Sequence, residues 1–479
     1  MMNITYSLKI LSGPLAFVVI YKFVQIPNLS DQALGVLATT IWIALWWILE
    51  SIPIAATALL PIVIFPLTNS MSIQETTSAY GHYFVFLYLG GFFVAIAIEK
   101  WNLHKRIALN ILKIIGTKSD TIVLGFMIAT AFLSMWISNT ATAVMLLPVG
   151  MALILQIKDN PDTIVDERDY FGKSIMLGIA YGASIGGIST LIGTPPNLVL
   201  AGVIKSNYNT EISFADWFIL AFPLSIILLL MCWYYLTKVQ FNIGNQSLSG
   251  GKSEIDNQIK SLGKYSTEEK RVAIIFSLTA LCWILRSFVI NKYFPKVDDT
   301  IIAMIGGLSL FLIPSTKVSE NILQWEDAKK VPWGVILLFG GGMALAAAFE
   351  KSGLAEWIGS NFSSLNGLSI LALMAIVIFA VNFLTEVTSN LATTAMLLPV
   401  LVTVSEAAHI HPYYLMIGAT LAASCAFMLP VATPPNAVVF GSGLIAIREM
   451  VKAGFWMNLI SVIIITLYLY LLLPIIFKI

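Results

Sequence analysis

Stretches such as Leu34–Leu49, Phe84–Ile98, Ile122–Ile137 and Leu459–Phe477 run without a charged side chain. At about 1.5 Å of rise per residue, a helix of roughly 17–25 residues crosses a hydrocarbon core of about 30 Å. Backbone polar groups in lipid must pair within their own segment, so these runs are expected to be helices. A membrane barrel would instead place polar residues at every second position. Composition agrees: 58% of the 479 residues are hydrophobic and only 11% are charged, against about 25% charged in a soluble domain. The expected fold class is an all-α integral membrane protein in the plasma membrane, surrounded by lipid. The net charge of +1 and the lack of a basic stripe give no reason to expect a nucleic-acid partner. Cys232, Cys282 and Cys425 are scattered through apolar runs, with no CxxC spacing, so neither a disulfide framework nor a metal site is expected. The apolar stretch around Leu8–Phe23 reads as a retained first helix.

The chain repeats itself. Residues 138–149 read SNTATAVMLLPV and residues 389–400 read SNLATTAMLLPV. Thr194-Pro195-Pro196-Asn197 recurs as Thr433-Pro434-Pro435-Asn436, and Gly90-Gly91 recurs near Gly340-Gly341. Three motifs in one order make two related halves, joined by the polar stretch 238–271. Basic residues orient them. Lys100, Lys105, Arg106, Lys113 and Lys118 follow the first Gly-Gly helix, and the 238–271 linker is likewise basic, so both are expected in the cytoplasm. The counterpart segment, about 350–366, carries only Lys351 as a cation. Three expected spans (272–292, 299–314 and 331–349) separate it from the linker, which puts it outside. Equivalent segments on opposite faces define an inverted repeat, a common plan among secondary transporters.

Each Ser-Asn motif interrupts an apolar stretch, between Ile122 and Ile157 and between Ile370 and Val404. The arms fit either two full spans or a re-entrant hairpin. Small polar tips favour the hairpin, because such residues are tolerated at depth where they line a protein cavity. The helix after each tip begins with free N–H groups and partial positive charge, which suits an anion. The paired prolines of the two Thr-Pro-Pro-Asn motifs remove donors and must break their helices. Discontinuous helices at matched positions point to a binding site near the bilayer midplane. No Lys or Arg lies in 119–157, 174–201 or 367–447. A divalent anion there would draw on helix N-termini and bound cations, and carbonyl and hydroxyl oxygens suit Na⁺.

The paired Ser-Asn tips, the paired Thr-Pro-Pro-Asn breaks, SCAFMLPVATPPNAVV at 424–439 and WWILESIPIAATALLP at 46–61 resemble the divalent anion/sodium symporter family over nearly the whole chain. The resemblance implies about 11 transmembrane helices plus two re-entrant hairpins, arranged as scaffold and elevator-like transport domains in a homodimer. The divisions expected are an N-terminal helix at 1–31 and a first repeat at 32–237 (hairpin 119–157, broken helix 172–204). The linker at 238–271 and a second repeat at 272–479 (hairpin 366–407, broken helix 411–443) complete them. The resemblance implies substrate contacts from Ser138, Asn139, Thr140, Thr194, Pro195, Asn390, Thr433 and Pro434. It implies one Na⁺ site from Ser134, Ser138, Asn139 and Gly193, and a second from Thr385, Thr388, Asn390 and Ala432. The function implied is sodium-coupled transport of C4-dicarboxylates such as succinate, malate and fumarate, with 2-oxoglutarate a further candidate substrate. Sodium-independent dicarboxylate exchange and citrate or sulfate transport are the alternatives. One departure bears on the substrate: Leu391 stands where the dicarboxylate pattern has a second hydroxyl.

Glu386 is open to three roles: cation ligand, proton-coupled acid, or carboxylate bonded to polar neighbours. Arg286 is expected to snorkel, Glu50 to lie at an interface, and His82, His104, His409 and His411 to lie at the surface. Trp101, Trp333 and Trp357 fit interfacial belts. Paired Asp, HExxH and Ser-His arrangements are missing from the spans, which argues against an intramembrane enzyme. Matched broken helices argue against a simple channel. The inverted plan has a direct test. A cysteine at Lys260 is expected to react with an impermeant maleimide from the cytoplasmic side only, and one at Glu356 from the outside only. Labelling of both from one side would make the duplication parallel.

Overall fold

The computed structural model describes residues 4–116, 118–155, 167–243, 251–316, 320–361 and 368–479. Residues 1–3, the hairpin edges at 156–157 and 366–367, the Asn160-Pro161 pair, whose Asn-Pro sequence reads as a loop, and linker residues 244–250 lie outside the described residues. Among those described, the backbone is helical throughout, and extended pairing is limited to one isolated bridge between Pro314 and Asn321. Seven of the described helices are long and apolar enough to cross a membrane, by length and composition. The shorter apolar helices include Ser119–Ser134, Asn139–Ile154 and Ile370–Leu384, which are arms of the two interrupted stretches.

One order of elements appears twice. A Gly-Gly helix, Tyr83–Lys100, leads into the amphipathic helix Leu103–Ile115, then into two short antiparallel arms, Ser119–Ser134 and Asn139–Ile154. Glu167–Gly187 and Pro195–Tyr208 follow, separated by an unwound 188–194, and Phe214–Tyr234 ends the half. In the second half the series is Trp333–Lys351, Leu354–Asn361, Ile370–Leu384, Asn390–Ala407, Tyr413–Ala423, Pro434–Phe440 and Ile447–Phe477. The proline pairs do not sit in the unwound segments. They occupy the first turns of Pro195–Tyr208 and Pro434–Phe440, where a missing N–H costs nothing and the fixed φ suits the helix. The chain therefore unwinds before the prolines, over 188–194 and over the longer 424–433.

The halves interlock. The short helix Pro434–Phe440 packs on Glu167–Gly187 and Asn139–Ile154 of the first half, and Pro195–Tyr208 packs on Asn390–Ala407 and Trp333–Lys351 of the second. Close approach needs a glycine on each of the two Gly-Gly helices. A Cβ on Gly90 would lie 2.5 Å from the Ala303 carbonyl, and one on Gly341 would lie 2.5 Å from the Ala58 carbonyl.

Three expectations change. The helix expected from 272 starts at Thr267, because Ser266 and Glu269 form a capping box that ends the linker earlier. Arg286 does not snorkel: it is 6% exposed and its guanidinium meets Glu211 and Asp299, each at 2.9 Å. A buried cation held by two carboxylates has no reason to reach for water. His104 is buried rather than superficial, with Nδ1 3.1 Å from the Ile98 carbonyl. At the linker side, Arg106 pairs with Glu269 through Nε (2.9 Å) and Nη2 (3.1 Å), bonds the Gly263 carbonyl at 3.0 Å and stacks on Tyr265. That fork–fork geometry fixes the start of the second half to the amphipathic helix Leu103–Ile115.

Candidate functional site

The two hairpin tips and the two unwound segments meet around one cavity of about 1040 Å³. Its wall contains all eight residues expected to touch the anion: Ser138, Asn139, Thr140, Thr194, Pro195, Asn390, Thr433 and Pro434. Gly193, Thr388 and Ala432 from the expected cation sets also line it, whereas Ser134 and Thr385 lie fully buried directly behind the tips.

Local physics explains the tips. Each arm ends one turn before its motif, and Ser138 or Ser389 takes an extended conformation as the helix restarts at Asn139 or Asn390. Ser138 Oγ accepts from the Ala141 N–H at 3.3 Å, whereas Ser389 makes no side-chain cap. Three helices of two turns or more thus begin at the cavity wall, at Asn139, Pro195 and Asn390, and the positive ends of their dipoles bias the wall, although Pro195 and Pro196 supply no N–H donor of their own. Among the lining residues the side-chain charges are Lys9 and Glu50. They mark the end of the cavity near the start of the first helix and the end of the second. Glu50 sits in the left-handed region (φ 48°) as the C-cap of Asp31–Leu49, so its expected interfacial place is also a cavity mouth.

Behind the tips, oxygens outnumber protons. The Ser134 hydroxyl contacts the Asn139 side-chain carbonyl and, at 2.7 Å, the Ala183 backbone carbonyl. The Thr385 hydroxyl repeats this with Asn390 Oδ1 at 2.7 Å and the Ala423 carbonyl at 3.1 Å. A hydroxyl carries one proton, so each trio holds three oxygens and a single donor. Such a cluster of hard, uncharged oxygens fits a small cation.

The unwound segments are held by buried side chains. Asn197 Nδ2 donates to the Thr190 carbonyl at 2.7 Å, and Asn436 Nδ2 to the Leu429 carbonyl at 3.0 Å. Trp217 Nε1 donates to the Ile188 carbonyl at 2.9 Å and Thr190 Oγ1 to the Met135 carbonyl at 2.6 Å. Glu386 is 3% exposed and faces the second segment. It accepts from the N–H groups of Phe427 (2.7 Å), Met428 (2.9 Å) and Leu429 (3.0 Å) and from Asn458 Nδ2 (2.7 Å). With four donors around it, the carboxyl group caps this backbone; of the three N–H groups only that of Phe427 has another acceptor among the described residues, Asn458 Oδ1 at 3.2 Å.

Sequence reasoning missed Tyr88, whose hydroxyl donates to the Pro195 carbonyl at 2.6 Å across the cavity wall. The available signal was a tyrosine inside an apolar run, because a buried phenol needs a partner. It also missed Asn458 and Trp217, which act on segments distant in sequence. The Leu391 departure is real in space: the side chain lines the cavity opposite the polar first tip and is 7% exposed.

The family described as the sodium:sulfate symporter transmembrane region matches residues 6–477. The sodium-dependent dicarboxylate transporter SdcS of Staphylococcus saprophyticus is 45% identical over 478 residues, covering 98% of this chain and 92% of its own length. That of Staphylococcus aureus strain MRSA252 is 47% identical over 470 residues, covering 97% and 90%. Among solved structures, MtrF of Neisseria gonorrhoeae aligns with a TM-score of 0.60 at 13% identity, covering 98% of this chain and 96% of its own. The YdaH transporter of Alcanivorax borkumensis aligns at 0.61 with 11% identity, covering 91% and 98%. At that identity the likeness concerns the fold.

The Glu386 geometry makes a prediction for stability. Glu386→Ala strands the Met428 and Leu429 N–H groups and the Asn458 amide, each worth about 1–3 kcal/mol when buried and unpaired, while the Phe427 N–H keeps Asn458 Oδ1. Detergent-solubilised Glu386→Ala is expected to melt well below wild type, with Glu386→Gln in between. An unshifted melting curve for the alanine variant would remove the capping role.

Proposed function

The chain belongs to the sodium:sulfate symporter family, a family of multi-pass membrane transporters rather than enzymes, and on that footing we propose that it carries C4-dicarboxylates into the cell with Na⁺. The observation that carries this reading is the pair of oxygen trios, Ser134–Asn139–Ala183 and Thr385–Asn390–Ala423. Each lies behind a tip asparagine that also faces the cavity. The relatives named for sodium-dependent dicarboxylate transport support the ion and the substrate class.

The steps follow from charge. Na⁺ binds the first trio with help from Ser138 and the Gly193 carbonyl, and the second with help from Thr388 and the Ala432 carbonyl. Each ion draws an asparagine Oδ1 toward itself and turns the amide N–H₂ toward the cavity. The dianion then meets Ser138, Asn139 and Thr140 at one carboxylate and Asn390, Thr194 and Thr433 at the other, with Pro195 and Pro434 bordering it. Without bound cations the wall offers only helix-end partial charges of about half a unit each, too little for two carboxylates. Ion and substrate binding are therefore coupled, and the coupling is reciprocal.

The proposed architecture is two inverted repeats, with the hairpins and broken helices moving as an elevator against a scaffold. With the linker read as cytoplasmic, the mouth lined by Lys9, Glu50 and Pro332 opens to the inside, and the proposal takes this conformation as the inward-facing one. The helix run Thr267–Tyr293, with 22% of its apolar window buried, presents a face to lipid or to a second copy, and a homodimer is the proposed assembly.

Uptake of radiolabelled succinate into proteoliposomes tests the reading. An inward Na⁺ gradient is expected to drive uptake into empty vesicles, and choline to abolish it. Uptake that ignores sodium but needs internal succinate would make the protein an exchanger. Failure with succinate alongside uptake of citrate or sulfate would assign the apolar Leu391 wall to another anion. Asn139→Ala and Asn390→Ala are each expected to lower sodium-driven uptake by at least tenfold at normal expression. Wild-type rates in both would sink the site assignment.

A further inference from the structure

The two Thr-Pro-Pro-Asn motifs end in asparagines that are 0% exposed, and among the described residues neither side-chain oxygen has a hydrogen-bond partner. Their amide nitrogens repeat one pattern in both halves. Asn197 Nδ2 donates to the carbonyls seven and ten residues earlier, Thr190 at 2.7 Å and Gly187 at 3.4 Å. Asn436 Nδ2 donates to the carbonyls seven and ten residues earlier, Leu429 at 3.0 Å and Ala426 at 3.1 Å. All of these neighbours are acceptors, so the N–H₂ must be the end that faces them. Two fully buried amides have kept this orientation although each leaves an oxygen unpaired, a state that ordinarily carries a cost.

The carbonyl each asparagine grips has a second partner. The Thr190 carbonyl also receives the N–H of Gly193 at 3.4 Å, and the Leu429 carbonyl also receives the N–H of Ala432 at 3.1 Å. Gly193 and Ala432 are the residues whose own carbonyls are assigned to the two cation sites above. In the first half the packing is tight. A Cβ on Gly187 would lie 2.8 Å from Asn139 Oδ1, and one on Gly193 would lie 2.4 Å from the Gly187 carbonyl. A carbonyl at 187 or 190 that swings free therefore displaces both Gly193 and the tip asparagine.

We infer that Asn197 and Asn436 are positioning residues for cation binding, each holding the turn that aims one backbone carbonyl at its ion. The inference rests on the sodium-coupled reading. Neither asparagine touches the ion or the anion. Each acts through a two-bond relay: amide to carbonyl, and the same carbonyl to the N–H of the ligand residue. Loss of the amide frees the turn, and the ion must reorder it on binding, which weakens sodium affinity while leaving the anion contacts in place once sodium is saturating.

The test compares purified wild type, Asn197→Leu and Asn197→Gln. One measurement is thermal unfolding across a NaCl titration balanced with choline chloride; the other is succinate uptake at limiting and at saturating Na⁺. Asn197→Leu is expected to raise the Na⁺ concentration for half-maximal stabilisation roughly tenfold, the scale of one lost buried hydrogen bond. Its succinate KM at saturating Na⁺ should stay within about twofold of wild type, on the same scale of reasoning. Asn197→Gln, which keeps an amide, should retain more of the sodium response. Asn436→Leu should behave like Asn197→Leu. A variant that melts lower in choline yet keeps the wild-type sodium titration would show a purely structural role and overturn the inference. If Asn197→Leu is not monodisperse, Asn197→Ser, with a hydroxyl too short to span both carbonyls, decides in the same assay. A wild-type protein indifferent to Na⁺ would instead remove the sodium reading, and this inference with it.

Discussion

An interrupted helix in a low-dielectric interior leaves backbone carbonyls and N–H groups without their helical partners, and the rest of this structure depends on how those groups are satisfied. Each orphan costs free energy comparable to a lost hydrogen bond. The first break, 188–194, is short, and its carbonyls are taken by Asn197 and Trp217. The second, 424–433, is longer and strands N–H groups as well as carbonyls. Asn436 serves the carbonyls, and Glu386 collects the N–H groups of Phe427, Met428 and Leu429. A carboxyl group surrounded by four donors has its hydrogen-bonding needs met, so the acidic side chain at depth has a structural reason that needs no chemistry at the substrate.

The two halves are matched at the hydroxyl–asparagine pairs where ions are proposed to bind and at the Thr-Pro pairs of the cavity wall, and they differ at two other places on that wall. Ser134–Asn139 and Thr385–Asn390 differ by one methyl group and keep the same hydroxyl-to-amide contact. At the two other places the pairing fails: Thr140 opposes Leu391, and Tyr88, bonded to the Pro195 carbonyl, has Leu338 at the equivalent place. A spherical cation can be served by two copies of one site. An anion bound between the halves meets a different wall on each side, which gives such a site a way to distinguish its two ends.

Two arginines buried in the apolar body are both paired with carboxylates. Arg286 lies between Glu211 and Asp299, and Arg106 is forked on Glu269. Pairing of this kind stabilises little relative to apolar packing, but removal of one partner leaves an expensive buried charge. These clusters fix the start of the Asp299–Leu312 helix and the end of the linker, and so brace the frame against which the tips and broken helices lie.

The sequence by itself determined that this chain is a helical membrane protein built from two related halves with matched interruptions, because apolar run length and motif recurrence are local properties. It also placed the interruptions correctly enough that all the residues expected at the anion site line one cavity. Its errors have a common origin. The sequence alone does not reveal Arg286's partners, because Glu211 and Asp299 lie outside its helix, nor the donors of Glu386, which lie 41 to 72 residues on. Tyr88, Trp217 and Asn458 gave no motif at all. Only the tertiary structure decided which buried polar group answers which orphaned backbone group, since that pairing is set by the packing of one half's helices on the other's.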